Sequence, residues 1–133
     1  MAAPDLADDI RDYLVTTFGL SNVSVNVLQP SPINQYAVVE YAGPQNIKTH
    51  AGASPVAAVL DEGMIQIMAR HTSANTARAN ILAVIDELDG RCDTTIGSVV
   101  YTYMECISRP RVIDREESGS TTFIAEFKVQ SRR

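Results

Sequence analysis

The sequence predicts an α+β domain in which an antiparallel or mixed β-sheet packs against two helices. Apolar residues recur at helical spacing in two segments, and they alternate with a period of two in the segments between and after them. The predicted order is α-β-β-β-α-β-β, which favours α+β over an all-parallel sheet. With 133 residues the chain is long enough to bury its own core, so we expect one domain over residues 1–133.

The N-terminal part of the chain is predicted to form one helix followed by two strands. Leu6, Ile10 and Leu14 recur at helical spacing on one stripe, and Gly19 is a natural stop after them. The following V-S-V-N-V pattern alternates strictly, as in a half-buried strand. The predicted elements are a helix over 5–18, a strand over 23–27, a loop with two prolines over 28–35 and a strand over 36–42.

A long connection is predicted over residues 43–63, because glycines and two prolines interrupt the apolar pattern there. Connections longer than about 12–15 residues are uncommon in compact domains and are usually functional or disordered. We therefore expect this segment to become ordered on assembly. Its apolar residues Val56, Val59 and Leu60 would then bury against a neighbouring molecule.

The rest of the chain is predicted to add one strand, the longer helix and two further strands. Thr72 or Ser73 is positioned to cap the helix, whose stripe includes Ala77, Ile81 and Leu88. The next strand carries apolar residues on both faces, which predicts either a central strand or contact with another subunit. The predicted elements are a strand over 64–70, a helix over 74–89, a strand over 94–108, a charged turn over 114–119 and a strand over 121–130.

Composition excludes several classes of function. The chain has 11 basic and 16 acidic residues, a net charge of −5, so it lacks the basic surface on which nonspecific nucleic-acid binding depends. No apolar run approaches the roughly 20 residues that span a bilayer, and no signal-peptide pattern begins the chain, so we expect no membrane association. Cys92 and Cys106 are expected to be reduced thiols of a cytosolic protein.

The sequence contains no recognisable catalytic or cofactor-binding pattern. The sequence has no glycine-rich dinucleotide or phosphate loop and no nucleophile elbow. His50 and His71 lack acidic partners at helical spacing, and the acidic group Asp86, Glu87 and Asp89 is more typical of a solvated face than of a metal site. We therefore expect no enzymatic activity, no metal and no cofactor.

Interleaved charges near the C-terminus form the densest charge pattern in the chain. They fit either a solvated hairpin or an ion-pair surface between subunits, and the residues alone leave both alternatives open. On the second alternative, acidic residues of the long helix on a neighbouring subunit are the candidate partners. The candidate interface residues are Arg109, Arg111, Asp114, Arg115 and Glu116 in the charged segment, Asp86 and Glu87 in the helix, and Val56, Val59 and Leu60 in the long connection.

Two sequence patterns resemble a known family. The long helix has the form A-x-x-A-x-x-x-I-x-x-x-I-x-x-L, and the C-terminal part reads I-S-R-P-R-V-I-D-R-E-E followed by F-I-A-E-F-K-V. Together with the element order, they resemble the tail terminator or tail-completion proteins of long-tailed bacteriophages, also called minor capsid proteins. The resemblance covers roughly residues 5–130, and its most specific part is the ending from Ile107 to Val129.

This resemblance implies a structural role in the virion, at the junction of head and tail, after assembly in the host cytoplasm. Such proteins form a homo-oligomeric ring, commonly of six subunits, that caps the tail tube and stops its polymerisation. The implied partners are the tail tube protein and a head connector or head-completion protein, and DNA passes through the lumen without specific binding. Two alternatives stay open: another head–tail connector or minor capsid protein, and a small ligand-binding module or enzyme.

Overall fold

The computed structural model describes residues 6–30, 32–48, 59–96, 99–115 and 119–132. Within these ranges two helices and seven strands form a single α+β domain, which confirms the predicted fold class and the order of helix, strands, helix and strands. The elements are α1 (Leu6–Thr16), β1 (Val23–Val25), β2 (Gln35–Lys48), β3 (Val59–His71), α2 (Ala74–Leu88), β4 (Cys92–Ile96), β5 (Val99–Cys106), β6 (Arg111–Arg115) and β7 (Thr121–Arg132).

The described strands form one mixed sheet in the order β1-β2-β3-β7-β5-β4. Strands β1 and β2 are parallel, and the other pairs are antiparallel. Two strands pair with the same side of β7, one after the other. Strand β6 pairs with its first part, Thr121–Ile124, and β5 pairs with its second part, Phe127–Arg132. The segment that connects β5 to β6 therefore lies beside the middle of β7.

Both helices pack on one face of the sheet, and the core lies between them and the strands. Helix α2 begins at its N-cap Ser73, whose side chain accepts a hydrogen bond from the Thr76 amide. Its apolar stripe meets alternate residues of the central strands β3 and β7, where Ile65, Ile67 and Phe127 have no solvent exposure. The helical stripes buried in this core are Leu6, Ala7, Ile10, Tyr13 and Leu14 of α1 and Ala77, Ile81, Val84 and Leu88 of α2.

The prediction of a long connection over residues 43–63 is wrong in its extent. Strand β2 continues to Lys48 and β3 begins at Val59, and the two form a long antiparallel hairpin. The proline that suggested a loop, Pro44, lies where the register skips from Ala42 to Gln45, an irregularity that places it outside the regular ladder. Residues 49–58 lie outside the described residues.

The single strand predicted over 94–108 is two strands, β4 and β5, which pair with each other. Its two apolar faces have a local explanation. The register of β5 against β7 shifts between Tyr101 and Tyr103, where β5 has one residue more than β7. This extra residue reverses which residues of β5 face the core after the shift. Tyr101 before the shift and Met104 after it are therefore both buried in the same core. A second covered face is not needed to account for the pattern.

Candidate assembly surface

The predicted charged segment occupies β6 and the chain just before it. The Arg111 guanidinium makes an ion pair at 2.8 Å with Glu126 of β7, so this arginine is already used within the protomer. Arg109 and Arg115 are exposed, and no ion pair within the described ranges includes either of them. Asp114 belongs to β6, whereas Glu116 lies outside the described residues.

The predicted apolar interface residues lie on the β2–β3 hairpin. Val59 and Leu60 are the first residues of β3, and in the antiparallel register they lie opposite Lys48 and Ile47. Leu60 also lies opposite Arg132 of β7. Val56 falls in the part of the chain that the structure does not describe. Backbone pairing thus holds Val59 and Leu60 in the sheet.

The acidic residues of α2 differ sharply in their surroundings. Asp86 is exposed, but the Glu87 carboxylate accepts a hydrogen bond from the Tyr13 hydroxyl at 2.8 Å and pairs with Arg91 at 3.0 Å. The Arg91 guanidinium also stacks over the Tyr13 ring, 5.3 Å from its centroid. Burial, together with the nearby Glu87, raises the pKa of Tyr13 from 10.0 to about 12. Glu87 therefore joins α2 to α1 within the protomer.

An open groove with a volume of about 320 Å³ runs along the other flank of α2. Leu82 and Ile85 form its helical wall, and Ile107, Arg109 and Pro110, in the connection between β5 and β6, form the opposite wall. The sequence does not predict this groove, because the groove depends on how the connection between β5 and β6 passes beside α2.

Two hydrogen bonds hold the connection between β5 and β6 beside α2. Asp89, just after α2, accepts a hydrogen bond from the Cys106 amide at 2.9 Å. The Ile107 amide donates to the Glu126 carbonyl of β7 at 2.8 Å. The groove therefore has one wall on a helix and one wall fixed to the sheet.

A buried polar cluster on the opposite face of the sheet fixes the loop between β1 and β2. Arg70 is only 8% exposed, and its guanidinium donates to the carbonyl oxygens of Gln29, Pro32 and Ile33. The Gln35 side chain completes the cluster by accepting from the Gln29 amide at 2.7 Å and donating to the Gln29 and Pro32 carbonyls. Neither residue was predicted as structural, since no acidic partner near Arg70 marks the site in the sequence.

The same face of the sheet also carries a polar strip across β3, β7 and β5. Glu62 accepts a hydrogen bond from Gln130 at 3.0 Å and pairs with Lys128 at 3.7 Å. Within β5, the Tyr103 hydroxyl donates to Glu105 at 3.3 Å. Hydrogen bonds and an ion pair thus link neighbouring polar side chains along and across the strands, as is usual for a solvated sheet face.

The chemistry of the remaining candidate residues is limited. His71 accepts a hydrogen bond from the Ser73 amide through Nδ1 at 3.0 Å, so it helps to form the turn before α2. Burial raises the pKa of the Cys106 thiol, and Cys92 is exposed. In the described ranges no three His, Cys, Asp or Glu side chains are grouped so that they could bind a metal ion. Neither of the two described helices is long and apolar enough to cross a membrane.

Comparison with known proteins finds similarity among solved structures. The chain matches no protein-family model and no curated protein sequence. Among solved structures, it is similar to a chain of the virion of a native gene transfer agent particle, with a TM-score of 0.61 and 17% sequence identity. The likeness covers 100% of both chains. At this identity it shows that the two chains share a fold.

Proposed function

We propose that the protein is a structural component of a phage-like virion and not an enzyme. The observation that carries this proposal is the end-to-end likeness of its fold to a chain of a gene transfer agent virion. It agrees with the independent resemblance of the Ile107–Val129 ending to the tail terminators of long-tailed phages. Because the likeness covers both chains completely, it concerns the whole domain and not one shared supersecondary motif.

Within the virion, we propose the role of tail terminator. The protein would form a ring, of six subunits as is common in the family, that caps the tail tube, stops its polymerisation and joins it to the head connector. Exposed charged contacts are individually worth about 0–1 kcal/mol, but a ring repeats each contact at every interface. The acidic net charge of −5 suits a lumen through which DNA slides without adhering.

Electron microscopy tests this role directly. Negatively stained protein should form rings with an open lumen, and rings mixed with tail tubes should sit at one tube end. Removal of the gene should leave tails of uncontrolled length, because nothing would stop tube polymerisation. Rings that never occupy tube ends, with tails of normal length in the deletion, would contradict the terminator role.

The alternative is another head–tail connector or minor capsid protein, which the same fold likeness supports. The deletion phenotype separates the two roles. Loss of a connector should give tails of normal length that are not attached to heads, whereas loss of a terminator should change the length itself. Measurement of tail length in the deletion therefore decides between them.

A further inference from the structure

We propose that the Asp89–Gly90 pair is a site of spontaneous covalent modification, at which isoaspartate forms when the turn after α2 opens and which the folded chain otherwise protects. An aspartate followed by glycine is especially prone to this reaction, because glycine has no Cβ to shield its amide nitrogen from the preceding side chain. The pair occurs once in the chain, and the sequence contains no Asn-Gly pair. The inference does not depend on the proposed function.

The reaction consumes and releases only water. The Gly90 amide nitrogen loses its proton and bonds to Cγ of the Asp89 carboxyl group, while the Cγ–OH bond breaks, so that one water leaves and a five-membered succinimide ring forms. Water then adds to one of the two ring carbonyls and opens the ring. Opening at Cγ restores aspartate. Opening at the backbone carbonyl carbon gives isoaspartate, in which the main chain runs through Cβ and Cγ and the mass is unchanged.

Two structural roles place these residue types next to each other. Gly90 has a φ of 79°, a left-handed conformation that favours glycine, directly after the C-cap of α2. The Asp89 carboxylate accepts a hydrogen bond from the Cys106 amide at 2.9 Å, which fixes the end of β5 beside the helix. Substitution of either residue would therefore disturb the turn. The reactive pair is thus a consequence of the way in which α2 ends.

Three features of the folded structure oppose ring closure. The ψ of Asp89 is 125°, which rotates the Gly90 nitrogen away from Cβ, whereas the five-membered ring needs these two atoms on the same side of the Cα–C bond. The Gly90 amide donates to the Met104 carbonyl at 2.8 Å, which holds the attacking nitrogen in place. The Cys106 amide holds the carboxylate in the same way. All three constraints are released when the turn separates from β5.

The frequency with which the turn opens therefore sets the rate in the folded protein. Access of water does not limit the reaction, because Asp89 and Gly90 are both exposed. The ends of elements open locally with free energies below that of global unfolding. Isoaspartate should thus accumulate slowly at this site in the folded chain and much faster once the chain is unfolded.

The first experiment compares the reaction in the folded and the unfolded full chain. Both are incubated at neutral pH, the second in a denaturing concentration of urea, and then digested with trypsin. Cleavage after Arg78 and Arg91 gives one peptide, 79–91, which contains Asp89 and, as an internal reference, Asp86, which is followed by glutamate. Chromatography and electron-transfer fragmentation distinguish isoaspartate from aspartate of equal mass.

Isoaspartate should form at Asp89 and not at Asp86, and at least roughly tenfold more slowly in the folded chain, which corresponds to an opening free energy of about 1.4 kcal/mol or more. Equal rates in the two states would overturn the protection by the fold. An unfolded chain that forms no isoaspartate at Asp89 would overturn the site itself.

The second experiment tests whether opening of this turn, and not unfolding of the whole domain, controls the reaction. Leu88 is 1% exposed and anchors the last turn of α2, so Leu88→Ala should speed isoaspartate formation in the folded chain several-fold. Leu6→Ala removes the same group from a position that is 3% exposed in α1 and should speed it less. Circular dichroism should show that both variants stay folded. Equal acceleration by both variants would overturn the control by local opening.

Discussion

Arg70 is a buried cation that holds a loop with no acidic partner among the described residues. Its planar guanidinium donates hydrogen bonds to the carbonyls of Gln29, Pro32 and Ile33 at the same time, whereas a lysine ammonium acts as a point charge. We expect Arg70→Lys to lower the free energy of unfolding by about 1.5–3 kcal/mol, the value of one hydrogen bond to a charged group. Denaturant titration measures this loss. The control Arg78→Lys, exposed on α2, should change it by less than about 0.5 kcal/mol, and equal losses would contradict the role of Arg70.

Tyr13 should make stability depend on pH in the alkaline range. Its pKa is raised from 10.0 to about 12 by burial and by Glu87, so the folded protein binds more protons than the unfolded chain between these values. The free energy of unfolding should therefore fall as the pH rises through this window. Tyr13→Phe cannot ionise and should make the fall shallower, at a cost of about 0.5–1.5 kcal/mol near neutral pH for the lost hydrogen bond. Urea titrations at several pH values test this, and unchanged slopes would contradict it.

At the scale of single elements, sequence alternation predicts strands well where pairing is regular. Ile65 and Ile67 of β3 and Phe127 of β7 are buried on the predicted face. The alternation misleads where a strand contains an irregularity, as at the shift between Tyr101 and Tyr103. The position of such a shift is set by the pairing with β7, which is distant in sequence, so local periodicity cannot reveal it.

The long helix provides the clearest test of core packing. Ile81 has no solvent exposure and lies in the cluster between α2 and the sheet, so Ile81→Ala should lower the free energy of unfolding by about 2–5 kcal/mol. Arg78→Ala also shortens a long side chain to alanine, but at an exposed position of the same helix, so this control should change it by less than about 0.5 kcal/mol. Denaturant titration of both variants gives the comparison. A loss for Ile81→Ala no larger than for the control would mean that the stripe is not part of the core.

For the whole molecule, the sequence predicts the fold class and the order of helix, strands, helix and strands, but it does not predict which charged groups pair with one another within the fold. Arg111 is predicted as an interface residue, and in the structure its guanidinium pairs with Glu126 of the same chain. Glu87 is also predicted as an interface residue, and in the structure its carboxylate joins the two helices. Which charged groups remain at the surface depends on how the elements pack together. Local charge patterns do not contain that information.

The last prediction concerns residues 49–58, at the end of the β2–β3 hairpin. We expect their replacement by a short Gly-Ser linker to shift the thermal transition of the isolated protein by only a few degrees. The paired backbone up to Lys48 and Val59 is retained, and the entropy of closing a loop depends only weakly on its length. The replacement should nevertheless abolish tube capping, because it removes Val56 from the apolar group Val56, Val59 and Leu60, which we propose to bury against a neighbour or the tube.

A matched variant tests whether the apolar half of this segment is responsible. Substitution of the polar residues Thr49 and His50 by serine, with Val56 retained, should leave capping intact. Hydrogen exchange provides the direct measurement: amides of 49–58 should exchange rapidly in the free protein and slowly in the capped tube, because ordering on binding occurs only in the complex. Slow exchange in the free protein would place the segment in the folded core. Normal capping by the linker variant would exclude the segment from assembly altogether.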